Sequence, residues 1–219
     1  GSKQREFLQR IRANTDRMGA LLDQIVQMTT VGDQPTIPAN TIVYVPEVLE
    51  TAVSAVIAQI REKKLYLDMD IGPELPPIPV SRNALNQIIT GLLGNACQAT
   101  DHKGRVAISA HTHNLTDKRA NGHSKDIGFL QIVITDSGGG IDAADRPHVF
   151  APRHRAENPL IVGLGDTGVG LSVARTLVEA NGGRIWVDSD MGIGSAFSTL
   201  FPIAEEPLEI TRLEEDHET

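Results

Sequence analysis

The chain has 219 residues, 40% hydrophobic and 22% charged, a composition typical of a water-soluble protein with one sizeable core. Its formal net charge of -8 argues against a protein that coats nucleic acid or an anionic membrane, since both need a cationic face. The single cysteine, Cys97, excludes an internal disulfide framework and favours a reducing, cytoplasmic setting. No apolar run approaches the roughly 20 residues that span a bilayer, although a longer parent protein with a membrane anchor stays open.

The N-terminal stretch over 3–30 carries apolar residues at alternating spacings of four and three, which is the spacing of a heptad helix. Further apolar residues widen this stripe, so a helix in a bundle is favoured over an isolated coiled coil. A helix lying on the core of its own domain fits the same periodicity. The preceding Gly1-Ser2 is interpreted as a tag remnant. The heptad positions are Phe7, Ile11, Met18, Leu21, Ile25 and Met28, with Asn14 in the one gap.

The rest of the chain alternates between helical and strand patterns up to an acidic end over 205–219, which is expected to be solvated or disordered. Because the last strands follow one another through tight turns, we predict a mixed sheet with helices on one face, a two-layer α+β sandwich. The predicted elements are a helix over 46–61, the strand "LYLDMDI", a helix over 82–100, the strands "RVAISAH" and "FLQIVITD" around a long exposed loop over 112–128, a helix over 168–180, and the strands "RIWVDS" and "AFSTLF".

Three glycine-bearing stretches follow one another late in the chain, at 136–140, 163–170 and 192–194. The middle one, "GLGDTGVG", fits a dinucleotide-binding spacing, but no apolar strand leads directly into it, so that interpretation is rejected. It instead brings flexible glycines to the start of a helix near Gly168, whose free amides favour phosphate. A simple helix-entry loop is the alternative.

An amide side chain, Asn95, lies among apolar residues of the helix over 82–100 and is expected to have a definite partner or to face solvent. A neutral amide oxygen suits Mg²⁺, which prefers hard oxygen ligands and bridges nucleotide phosphates. On its own, Asn95 is more consistent with a hydrogen-bonded polar residue of the helix than with a metal ligand.

Five motifs occur together in one order: "GLLGNACQA", "DSGGGI", "FAPRHR", "GDTGVGLSVA" and "GIGSAF". This order and spacing resemble the Asn box, first glycine box, phenylalanine box, second glycine box and third glycine box of sensor histidine kinase catalytic domains, in the gyrase, chaperone, histidine kinase and mismatch-repair ATPase superfamily. The resemblance implies the Bergerat-type ATP-binding fold over 36–204. It also implies that 1–35 contains the second helix of a dimerisation and phosphoacceptor hairpin.

The resemblance assigns roles to named residues. Asp136 would accept a hydrogen bond from the adenine amine. An ionised carboxylate can only accept hydrogen bonds, so it would favour adenine over guanine, which has a carbonyl at the same position. Asn95 would hold Mg²⁺, and Arg155, in a mobile lid over 151–166, would neutralise γ-phosphate charge or else remain a solvated lid residue. The remaining implied nucleotide contacts are Gly138 and Gly140 against the base, Ile141 as a wall, Gly165 as a lid hinge, Thr167, Gly168, Gly170 and Leu171 at the phosphates, and Ser195 on the pocket floor.

Four positions depart from the family pattern: Gly91, Gln98, Arg153 and Asp166. Related gyrase and chaperone ATPases have an acidic residue at the position of Gly91, so its absence argues against fast ATP hydrolysis. Asp166 places a carboxylate near the phosphates, where it would repel them unless it turned away. All seven histidines follow residue 101, so the fragment is expected to lack its own phosphoacceptor.

The resemblance implies a protein histidine kinase that uses ATP and Mg²⁺ and transfers the γ-phosphoryl group to a histidine on a helical hairpin of its parent. The implied partners are that hairpin, a second copy in a homodimer of the parent, and a response regulator downstream, with no nucleic acid. The alternative is a pseudokinase that binds nucleotide or dimerises without transfer. A gyrase-like ATPase is disfavoured by Gly91. A metal site at His111, His113 and His123 is weighed against an exposed hairpin, which is favoured.

Overall fold

The described residues form one five-stranded sheet with three α-helices on one face. These elements belong to a computed structural model that describes residues 42–117, 125–151 and 170–203. The predicted mixed sheet covered on one face by helices is confirmed. The heptad helix over 3–30 and the acidic end over 205–219 lie outside the described residues, and the domain boundaries at 35 and 204 stay predictions.

The first helix, α1, covers Val45–Lys63 and has a proline in its first turn. Proline is tolerated there because a backbone N–H at that position would have no hydrogen-bond partner within the helix. Glu47 lies near the N-terminal, positive end of the helix dipole and Arg61 near its C-terminal, negative end. Both charges therefore stabilise the helix. The helix ends at Lys64, whose left-handed backbone (φ 51°) lets its N–H bond back to the last turn. One face is buried: Val45, Val48, Leu49, Ala52, Val56 and Ile60.

The central helix, α2, covers Arg82–Ala99 and packs against both α1 and a third helix, α3 (Leu171–Ala180). It begins at Ser81, whose extended backbone and side-chain oxygen cap the first turn. Every residue from Gly91 to Cys97 is buried. None of these three helices combines the length and the apolar character that crossing a bilayer requires.

The C-terminal end of α2 is held by the ammonium group of Lys63. Its Nζ donates to the carbonyl oxygens of Cys97, Gln98 and Thr100, at 3.0, 2.8 and 3.1 Å. Carbonyls at the end of a helix lack partners within the helix and carry partial negative charge. One cation at the end of α1 therefore donates to three carbonyls at the end of α2.

The sheet contains β1 (Tyr66–Ile71), β2 (Arg105–Asp117), β3 (Lys125–Asp136), β4 (Arg184–Asp190) and β5 (Gly194–Pro202), in the spatial order β1-β2-β3-β5-β4. β1 and β2 are parallel because α2 carries the chain back across the sheet between them. The other neighbours are antiparallel. The sheet is therefore mixed, as predicted.

The predicted exposed loop over 112–128 is wrong in its bounds, because β2 continues to Asp117 and β3 begins at Lys125. Pairing continues through His111↔Gln131 and His113↔Phe129. Polar residues in this stretch suggested a loop, but backbone pairing with a neighbouring strand does not need apolar side chains.

Side chains of β3, β5 and β4 form rows across the helix-facing side of the sheet. Ile134, Phe197 and Val187 make one such row, and it belongs to the apolar core. The row two residues further along consists of Asp136, Ser195 and Ser189. Alternation along strands puts both rows on the same face, so a polar row borders the core directly.

Replacing Lys63 by Met tests the tie between α1 and α2. The variant is expected to lose about 1–2 kcal/mol of unfolding free energy, since three carbonyls lose a charged donor that is itself partly exposed. Denaturant unfolding measures the loss. The matched control is Lys64→Met, at an exposed neighbouring lysine, and equal losses in the two variants would contradict this account.

Candidate functional site

A cavity that holds about 400 Å³ of space, part of it open to solvent, lies at the polar end of the core. Its walls come from α2, the ends of β3 and β5, the segment after β3, and the first residue of α3. The lining residues are Asn95, Ala99, Asp136, Gly140, Ile141, Val149, Leu171, Ser195 and Phe197.

Asp136 is the only one of these lining residues with an ionisable side chain, and it is 2% exposed. Its Oδ1 accepts from the backbone N–H groups of Gly138, at 2.8 Å, and Ser195, at 3.3 Å. These two bonds fix the orientation of the carboxylate at the end of β3. A carboxylate held in this way selects hydrogen-bond donors on a ligand.

The glycines after Asp136 are required by the protein's own contacts. A Cβ on Gly138 would lie 2.3 Å from the carbonyl oxygen of Ala99. Gly140 has φ +76°, and a Cβ there would lie 2.1 Å from the carbonyl oxygen of Asp190. Only glycine lets this segment pass so close to α2 and to the β4–β5 turn. Gly140 lines the cavity, whereas Gly138 is not among the lining residues. The contact of a nucleotide base with this backbone stays a prediction.

The opposite wall is the C-terminal half of α2. Asn95 is 8% exposed and reaches the cavity, and Ala99 lies one turn further along the same side. Gly91, one turn earlier, is buried and offers no side chain. The structure thus brings Asn95 and Asp136 to one cavity from two elements that are far apart in sequence.

The start of α3 forms the third wall. Its N-cap residue, Gly170, has extended backbone, and Leu171 both begins the helix and lines the cavity. The predicted start near Gly168 lies outside the described residues, whose helix begins at Leu171. The same is true of Arg155, Gly165 and Thr167, so their roles stay predictions.

A buried hydroxyl group, that of Ser189, connects two walls of the cavity. Its Oγ lies 2.8 Å from the N of Ile141, 2.9 Å from the O of Gly194 and 3.1 Å from the Oγ of Ser195. Ser189 belongs to none of the five sequence motifs. Only the strand register places it beside Ser195.

Three further lining residues were missed: Ala99, Val149 and Phe197. Simple periodicity could have found two of them, since Ala99 is one helical turn from Asn95 and Phe197 is two strand residues from Ser195. Phe197 also packs edge-on against Phe150, with ring centroids 6.1 Å apart. The apolar start of the "FAPRHR" motif therefore lies against the core beside the cavity.

The alternative of a metal site at the β2 histidines gains no support from the described part of the chain, where no three His, Cys, Asp or Glu side chains form a group able to hold a metal ion. His111 instead lies 3.2 Å from the Asp70 carboxylate. Burial, followed by the charge of His111, lowers the pKa of His113 below its usual value. His123 lies outside the described residues.

Residues 81–205 match the sequence profile of the histidine kinase-, DNA gyrase B- and HSP90-like ATPase family. This match covers more than half of the chain and includes α2, α3 and four of the five strands. The chain belongs to this family, and the resemblance inferred from the five motifs is confirmed.

The chain is similar to curated sensory proteins, among them sensory kinases. The chain is 26% identical to drug sensory protein A of Synechocystis sp. over 89% of its own length and 29% of that protein. It is 32% identical to the adaptive-response sensory kinase SasA of Prochlorococcus marinus subsp. pastoris over 65% of its own length and 35% of the relative. The chain thus spans about a third of the length of these relatives.

Solved structures of histidine kinases share the fold. The nucleotide-free catalytic domain of ThkA aligns with a TM-score of 0.58 and 20% identity over 74% of this chain and 94% of that domain. Full-length ShkA in complex with AMPPNP aligns with a TM-score of 0.60 and 21% identity over 95% of this chain and 41% of that one. ThkA in complex with its response regulator TrrA aligns at 0.57, with 17% identity over 89% of this chain and 49% of ThkA.

The pair Gly140→Ala and Gly192→Ala separates backbone strain from collision. Both glycines have φ +76°, but a Cβ on Gly192 would meet nothing within 4 Å. We expect Gly192→Ala to cost about 1 kcal/mol of unfolding free energy from strain alone, and Gly140→Ala about 2–4 kcal/mol. Denaturant unfolding measures both. A loss at Gly140 no larger than that at Gly192 would show that the segment is not held against the β4–β5 turn.

Proposed function

We propose that this chain is the ATP-binding catalytic unit of a sensor histidine kinase, which transfers the γ-phosphoryl group of MgATP to a histidine on a helical hairpin of its parent protein. The observation that carries the proposal is the meeting of Asn95 and Asp136 in one cavity. The similarity to SasA, whose name is adaptive-response sensory kinase, supports the same conclusion.

The adenine end of the nucleotide is assigned to Asp136. Its carboxylate is buried and held by two backbone donors, so it is oriented before any ligand arrives. Adenine presents an amine donor where guanine presents a carbonyl acceptor, and the carboxylate pairs only with the donor. Ile141 and Phe197, both in the cavity wall, would cover the flat faces of the base.

The phosphate end is assigned to Asn95 and the start of α3. The amide oxygen of Asn95 is the kind of hard ligand that Mg²⁺ accepts, with phosphate oxygens and waters in its other positions. The first amides of α3 have no partner within the helix and favour negative charge. Arg155, Thr167 and Gly168 complete this assignment from the sequence.

The transfer needs little acid–base chemistry from this domain. The bond between the γ-phosphorus and the bridging oxygen breaks, a nitrogen–phosphorus bond to imidazole forms, and ADP leaves. A neutral imidazole nitrogen is itself the nucleophile, so the lack of a carboxylate at buried Gly91 is compatible with transfer. Positioning and charge neutralisation are then the main contributions of the protein.

The partners follow from this assignment. They are a second copy of the parent, which completes the dimerisation hairpin, and a response regulator that receives the phosphoryl group. The ThkA structure with its regulator supports the latter by analogy. The second candidate function is a nucleotide-binding pseudokinase, and the observation that favours it is the side-chain-free, buried Gly91 in the Asn-box helix.

Asp136→Asn tests base recognition. It is expected to weaken ATP binding at least about tenfold in calorimetric titration with Mg²⁺, since an acceptor-only carboxylate becomes an amide that can also donate. The matched control is Asp188→Asn, which makes the same charge change on the opposite face of the sheet and should leave ATP affinity unchanged. If both variants bind ATP as the unmodified chain does, Asp136 does not read the base.

Transfer itself is tested by mixing the chain with MgATP and the phosphoacceptor hairpin of its parent. Acid-labile phosphohistidine should appear on the hairpin, and steady-state phosphate release should stay low because no carboxylate activates water near Gly91. ATP binding without phosphohistidine would favour the pseudokinase. Fast phosphate release would favour a gyrase-like ATPase.

A further inference from the structure

Ser189 makes three polar contacts inside the protein although it lies on no motif of the nucleotide site. It is 1% exposed, at the end of β4, and belongs to the row formed with Asp136 and Ser195. Its contacts are the N–H of Ile141, the carbonyl of Gly194 and the hydroxyl of Ser195. Two of these partners, Ile141 and Ser195, line the cavity.

The direction of each hydrogen bond follows from the number of protons available. A serine hydroxyl has one hydrogen to donate and two lone pairs that accept. The N–H of Ile141 can only donate to Ser189, and the carbonyl of Gly194 can only accept from it. The one hydrogen of Ser189 is therefore used on Gly194. The 3.1 Å contact is satisfied only if Ser195 donates its own hydrogen to Ser189.

This arrangement determines what Ser195 offers to a ligand. Its hydrogen is used on Ser189, so its oxygen lone pairs are what Ser195 offers to a ligand in the cavity. The side chain of the neighbouring Asp136 lines the same cavity and, as a carboxylate, can only accept hydrogen bonds. The two side chains together favour a ligand group that donates.

We propose that Ser189 is a positioning residue that fixes Ser195 as a hydrogen-bond acceptor and holds Ile141 in the cavity wall, and that it thereby strengthens the preference for adenine over guanine nucleotides. The proposal rests on the proposed ATP-binding function. Ser189 itself does not touch the nucleotide. Without it, the hydroxyl of Ser195 is free to turn and donate to a carbonyl such as that of guanine.

The test compares ATP and GTP affinities of the 219-residue chain by calorimetry in Mg²⁺. Ser189→Ala is expected to weaken ATP binding by about fivefold or more and to reduce the ATP-to-GTP affinity ratio by at least as much. Ser189→Thr keeps the hydroxyl and should restore most of the ratio. Ser195→Ala removes the acceptor directly and should also lower the ratio, with the Ser189–Ile141 bond intact.

Ser198→Ala is the matched control, because Ser198 is equally buried on β5 but faces the opposite side of the sheet. It should leave the ratio unchanged, while circular dichroism and thermal melting establish that each variant is folded. An unchanged ratio in folded Ser189→Ala overturns the proposal. If that variant does not fold, an unchanged ratio in Ser195→Ala overturns it instead. Failure of the unmodified chain to bind either nucleotide would refute the proposed function, and with it this inference.

Discussion

The backbone pairing of β3 with β5, and of β5 with β4, is the constraint on which the site depends. It aligns Asp136, Ser195 and Ser189 in one row on the helix-facing side of the sheet. The row before it, Ile134 with Phe197 and Val187, is apolar and packs against the helices. A slip of one residue would turn a whole strand's side chains to the other face, so the burial of the apolar row also fixes the polar one.

The wall of the cavity formed by α2 is held in place in part by contacts to its backbone carbonyls. The carbonyl of Ala99 lies where a Cβ of Gly138 would be, so α2 touches the turn after β3 directly. Lys63 holds the same end of α2 through three carbonyls. Asn95, one turn earlier, is thus carried by a helix that is fixed at its end. A site built on such elements is more exact than one built on loops.

The sequence was sufficient for the helices and strands with strong periodicity, because buried faces impose spacings of 3.6 and 2 residues. It placed Asn95 and Asp136 in one site only through the order of five motifs. It could not provide Ser189, since the position of Ser189 beside Ser195 follows from how β4 pairs with β5. The hairpin of β2 and β3 was predicted, but the outer part of its two strands was missed because the residues there are polar. The glycines after Asp136 were attributed to a ligand, whereas contacts within the protein already require them.

Cys97 is the only thiol in the chain, and it is fully buried on α2. Burial raises its pKa to about 11, so at neutral pH it holds almost no reactive thiolate. A cysteine introduced at exposed Met191, in the turn between β4 and β5, would therefore react with a maleimide or a spin label far faster than the native thiol. The chain accepts a single site-specific reporter beside the cavity without prior removal of its own cysteine.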